Sequence, residues 1–81
     1  MSRRRRVHAI YWHDIQADAG WGLRVCPWPC VTVGFIVKRP TKRKPWYRIA
    51  DTIGRKGGGG ATAIPAGCVE RVEDLGKVRV P

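Results

Sequence analysis

Glycine and proline decide what this chain can become. From Gly20 onward, ten glycines and six prolines cut it into short pieces. Such pieces suit strands and turns, because proline breaks a helix interior and glycine weakens one. The clearest piece is VTVGFIVK, residues 31–38. Val31, Val33, Phe35 and Val37 alternate on one face, and Thr32, Gly34, Ile36 and Lys38 take the other. That is the two-residue period of a strand.

Other pieces read the same way. VHAIYW (7–12) fits a first strand, with Val7, Ala9 and Tyr11 on one face and His8, Ile10 and Trp12 on the other. HDIQADAGWG suits one helical turn or an irregular loop. CPWPC, with two prolines two residues apart, reads as a stiff extended link. WYRIADTI (46–53) is a second good strand, with Tyr47, Ile49 and Ile53 opposed to Trp46, Arg48 and Thr52. GRKGGGG is a turn, ATAIP a short strand, and KVRVP a last one. In AGCVERVEDL, Val69, Val72 and Leu75 lie three apart, which predicts a helical turn. Length fixes one domain, and a chain of 81 residues has a thin stability margin.

The fold expected is mainly β: a small SH3-like or Sm-like barrel of four to five short antiparallel strands with one short helical turn, over residues 7–81. Closure would remove exposed sheet edges. An open antiparallel sheet with one packed helix is the alternative. Residues 1–6 hold Arg3, Arg4, Arg5 and Arg6, whose mutual repulsion predicts a flexible arm.

Charge bounds the partners. Sixteen Lys and Arg face six Asp and Glu, for a net charge of +10 and a pI near 10.6. Such a field attracts nucleic acid, nucleoprotein or acidic protein surfaces. Six of the eleven residues in KRPTKRKPWYR are cationic: Lys38, Arg39, Lys42, Arg43, Lys44 and Arg48. The strands on either side make this stretch a hairpin tip, with Trp46 and Tyr47 at the strand entry. Only one of two adjacent strand residues faces inward. Tyr47 is expected in the core and Trp46 outside, where it can stack on a base beside the cations. Arg55 and Lys56, in the glycine-rich turn, could touch a phosphate. They precede the glycines and a strand follows, so the turn lacks the P-loop pattern.

No stretch reaches the ~20 apolar residues of a membrane helix, so no membrane partner is expected. His8, His13 and Asp14 interrupt the apolar segment that a signal peptide would need. Three cysteines, an odd number, speak against a secreted disulfide scaffold and for a cytoplasmic chain with reduced thiols. Cys26, Cys30 and Cys68, with His8 or His13, could hold zinc, but zinc sites usually show two tight ligand pairs. A Cys26–Cys30 disulfide and ordinary thiols are the other readings, with Cys68 in the core. No cofactor is expected. His13, Asp14 and Asp18 lie close in sequence, yet no activated nucleophile or carboxylate pair accompanies them, so no enzyme is expected.

The order of motifs resembles that of small accessory proteins encoded by bacteriophages. These carry Trp-x-Asp, here Trp12-His13-Asp14; then Gly-Trp, here Gly20-Trp21; then an apolar strand, here Val31-Thr32-Val33-Gly34-Phe35. They close on Ile-Pro-x-Gly-x-Val, here Ile64-Pro65-Ala66-Gly67-Cys68-Val69 through Val72. The resemblance covers roughly residues 10–75. It implies a small barrel, a phage origin and the cytoplasm of a bacterial host, and it brings no catalytic residue with it.

Two functions follow as expectations. One is a non-enzymatic nucleic-acid module, whose hairpin cations meet phosphates while Arg3 to Arg6 wrap the strand. Five phosphate contacts on duplex DNA would give a log–log salt slope of about −4.5. The other is a phage effector that binds a host protein, such as a defence nuclease, a CRISPR effector or RNA polymerase. A structural role with homo-oligomer formation is a third. Against all three stands a merely solvated hairpin.

Overall fold

The computed structural model describes residues 3–17, 25–54 and 57–80; the side chains of residues 15–17, 25–28, 57 and 58 lie outside that description. The described residues form β1 (Arg3–Ala17), β2 (Val25–Lys38), β3 (Trp46–Ala50), β4 (Ile53–Gly54), β5 (Gly57–Gly58), β6 (Ala61–Pro65) and β7 (Val69–Val80). One 3-10 turn, Ala66–Cys68, precedes β7. Five strands make one antiparallel sheet in the order β6-β3-β2-β1-β7, and β4 pairs with β5 as a small hairpin. Expectation and structure thus agree on a mainly β, antiparallel architecture with one short turn of helix. The two edge strands, β6 and β7, are not paired with each other, so the sheet is open. Yet only the three-residue 3-10 turn joins them, packed on β1 and β3. A sheet with its edges tied this closely must curl around its inner face.

That face carries the core. Ile10 of β1, Ile49 of β3 and Ile64 of β6 are fully buried, and Trp12, Ile36, Tyr47, Val69 and Val72 pack around them. Burying an aliphatic side chain contributes about 1.5–3 kcal/mol, so three isoleucines form a small core for a chain of this length. Gly34 lets the sheet curl. A Cβ there would strike the backbone carbonyl of Ala50 on β3. In β2, the inner face is therefore Thr32, Gly34 and Ile36, whereas Val31, Val33 and Val37 are exposed.

Three local expectations are corrected. The arginine run is not a free arm: Arg3, Arg4, Arg5 and Arg6 pair with Val80, Arg79, Val78 and Lys77 of β7. Backbone pairing, and an Arg6 bond to Asp74 at 2.8 Å, oppose the repulsion within the run. The helical turn predicted over AGCVERVEDL is only Ala66–Cys68, and Val69 onward is strand. A bulge explains the misleading spacing. Trp12 pairs with Val69 and Ile10 with Val72, so residues two apart on β1 face residues three apart on β7. The CPWPC link lies within β2, where Pro27 and Pro29 face Ile15 and His13. β3 does not reach this part of β2, so among the described residues the strand is paired there on one side only, an edge-like place that tolerates proline.

A second bulge sits lower in the β1–β7 pair. Only Val7 separates Arg6 from His8, while Leu75 and Gly76 separate Lys77 from Asp74. Gly76 adopts φ +100°, which side chains disfavour. Its N–H donates to Asp74 Oδ1 at 2.8 Å.

Candidate nucleic-acid interface

The loop after β2 and the outer face of β3 build one cleft of about 460 Å³. Lys38 ends β2, and Arg48 stands directly opposite it on β3. Core packing fixes the direction of Arg48 and Trp46. Tyr47 and Ile49 pack inward, so their alternating neighbours point out. Trp46 is 37% exposed. Arg39, Thr41 and Lys44 form the loop wall, and Ala61 and Ala63 of β6 form the floor. Arg48 pairs with Ala63. A methyl group there leaves space that a longer side chain would fill.

The loop wall is held by its own hydrogen bonds. The Thr41 amide donates to the Lys44 carbonyl at 2.9 Å, and the Lys44 amide donates to Thr41 Oγ1 at 3.1 Å. The Trp46 amide also donates to the Lys44 carbonyl, at 2.8 Å, and the Ala66 amide to the Pro45 carbonyl, at 2.9 Å. A loop tied in this way loses less conformational freedom when a ligand binds.

Electrostatics set this cleft apart from the middle of the β1–β7 pair. The ion pairs among the described residues cluster on β7: Arg6 with Asp74 at 2.8 Å and Arg71 with Glu73 at 3.3 Å. His8 and His13 also lie 4.0 Å and 3.9 Å from Asp74 and Glu70. Arg71 covers the Tyr11 ring at 3.9 Å, and the Tyr11 hydroxyl donates to Glu73 at 3.2 Å. Asp74 is held below the usual carboxylate range, chiefly by the Gly76 N–H, with Arg6 and His8 adding to it against desolvation. At the cleft, by contrast, Lys38, Arg39, Lys44 and Arg48 have no carboxylate partner among the described residues. Like charges directly opposite on neighbouring strands destabilise a sheet, by a few tenths to about 1 kcal/mol. An anion between Lys38 and Arg48 would remove that cost.

Of the residues picked out in the sequence, the structure brings Lys38, Arg39, Lys44, Trp46 and Arg48 together. Lys42 and Arg43 are exposed on the same loop but do not line the cleft. Arg3 to Arg6 belong to the β1–β7 pair instead. Arg55 and Lys56 lie outside the described residues. Thr41, Ala61 and Ala63 were not singled out in the sequence, because their value comes from loop bonds and strand pairing. Among the described residues, no three His, Cys, Asp or Glu side chains gather as a metal set. Cys30 and Cys68 are half-buried, and the Cys26 side chain lies outside the description. No described helix is long and apolar enough to cross a membrane. No protein-family model, curated protein or solved structure matches the chain.

Proposed function

We propose that this protein is a non-enzymatic binding module that holds nucleic acid by its phosphates. The observation that carries the reading is the Lys38–Arg48 pair: two cations face to face, with Lys44 beside them and no carboxylate partner among the described residues. Phosphate is the anion such a pair suits, since guanidinium and ammonium groups both bind it with charge-assisted hydrogen bonds. Trp46 at the same cleft offers a surface for a base. The fold in this reading is the SH3-like or Sm-like barrel of a phage accessory protein. The short turn between the edge strands supports the barrel, and the sequence motifs support the origin.

The test is a fluorescence-anisotropy titration with labelled single-stranded DNA, duplex DNA and RNA at two salt concentrations. Replacing Lys38, Lys44 and Arg48 by Gln should flatten the log–log salt slope by about 2.7 on duplex and about 2.1 on single strands, if each holds one phosphate. Native binding seen only at low salt, or a slope the variant leaves unchanged, would sink the reading.

A second reading, a phage effector on a host protein, has one observation in its favour. Val31 and Val33 are 55% and 52% exposed on the outer face of β2, where no described residue covers them fully. That reading requires a host protein that stays bound after nuclease treatment and is released by Val33→Lys.

A further inference from the structure

The cleft uses only part of the chain's positive charge. Beyond His8, β1 continues without β2, whose pairing with β1 extends to Gly34 opposite His8. Arg3–Arg6 and residues 77–80 of β7 therefore form a ribbon of two strands. Its register sorts the side chains. Arg4 faces Arg79 and Arg6 faces Lys77 on one side; Arg3 and Arg5 face Val80 and Val78 on the other. Arg4, Arg6, Lys77 and Arg79 are all exposed. Asp74 holds Arg6, whereas Arg4, Lys77 and Arg79 have no carboxylate partner among the described residues.

Two like-charged pairs in succession on one face are costly in a free ribbon. They are suited to a ligand with regularly spaced negative charge. Cations two residues apart along a strand sit about 6.8 Å from each other, and the two columns are about 5 Å apart. A ribbon of this width is what a duplex groove admits, with guanidinium forks turned to the phosphates of its rims. We propose that this ribbon is a second phosphate-contact site, one that takes duplex nucleic acid.

The ribbon shares no residue with the cleft. Its cations sit on the β1–β7 pair, and those of the cleft sit on β2, β3 and the loop between them. One molecule therefore offers two sets of phosphate contacts. This site rests on the reading of the protein as a nucleic-acid binder.

The experiment compares the native chain with Arg4→Gln/Lys77→Gln/Arg79→Gln by anisotropy with a labelled DNA duplex, from about 50 to 200 mM salt. The expected result is a salt slope flatter by about 2.7, at about 0.9 for each phosphate contact. The loss should add to that of the cleft variant, since the sites share no residue. Should the triple variant fail to fold, Arg79→Gln alone should flatten the slope by about 0.9. Native binding with a slope the ribbon variants do not change overturns the ribbon and leaves the cleft standing. No native binding at about 0.15 M salt removes both. A loss seen on phosphatidylserine vesicles but not on duplex also overturns the proposal.

Discussion

Gly34→Ala is the sharpest test of how the sheet curls. The added Cβ would meet the Ala50 carbonyl oxygen well inside van der Waals contact, with the Ala50 carbonyl carbon at 3.1 Å and Ile49 Cγ1 at 3.2 Å behind it. Two of these three atoms are backbone, so no rotamer change relieves the clash. β3 must move, and with it Ile49 in the core. Overpacking of this kind costs about 1–3 kcal/mol, against which alanine recovers about 0.5–1 kcal/mol for its better fit to a strand than glycine. Taking the middle of each range, the net loss expected is about 1.25 kcal/mol. In a domain of this size each kcal/mol moves Tm by about 4–8 °C, so Tm should fall by roughly 5–10 °C. Thermal unfolding followed by circular dichroism reads this directly. Val33→Ala, one residue away but 52% exposed, is the control and should stay within about 0.5 kcal/mol of the native chain. If Gly34→Ala melts with the native protein, β3 does not press on β2 as described, and the account of the curled sheet is wrong.

Lys38→Glu replaces a like-charge pair by an opposite-charge pair with Arg48. It should raise stability by a few tenths to about 1 kcal/mol in a thermal melt while weakening nucleic-acid binding in the anisotropy titration. Gly76→Ala meets no atom within 4 Å, yet the residue sits at φ +100°. It should therefore cost more than the ~0.4–1 kcal/mol that alanine gains where the backbone fits it, read as a lower urea midpoint. Asp74 has a depressed pKa in the folded state, so the folded chain binds fewer protons than the unfolded one as acid is added. Its stabilising contribution is complete above the unfolded value, near 4, and is lost as pH falls through the folded value. Denaturant midpoints against pH should show this decline in the native chain and a shallower one in Asp74→Asn.

Strand content was legible because alternation is a local signal. VTVGFIVK and WYRIA needed no partner to be recognised. What defeated the sequence reading was pairing. Val69 and Val72 lie three apart as in a helix, and only the register with Ile10 and Trp12 reveals the extra residue of a bulge. The arginine run looked too repulsive for order, and β7, which pairs with it, lies at the far end of the chain. The more apolar face of β2 turned out to be the exposed one, because Gly34 sets which side β3 can approach. At the site, the cations and Trp46 were visible as composition. Their gathering around Ala61 and Ala63 was not, since alanines become a floor only once β6 lies beside β3.

The β1–β7 pairing also sets the order in which the molecule can assemble. Arg6 and Asp74 are 68 positions apart, and Tyr11 and Glu73 are 62. The β1–β2 and β2–β3 hairpins, by contrast, close over short stretches of chain and can form early. Until residue 80 has left the ribosome, one edge of β1 waits unpaired, a template for any other strand. Docking of β7 is then a late event on the folding path. Substitutions there should speed unfolding more than they slow folding.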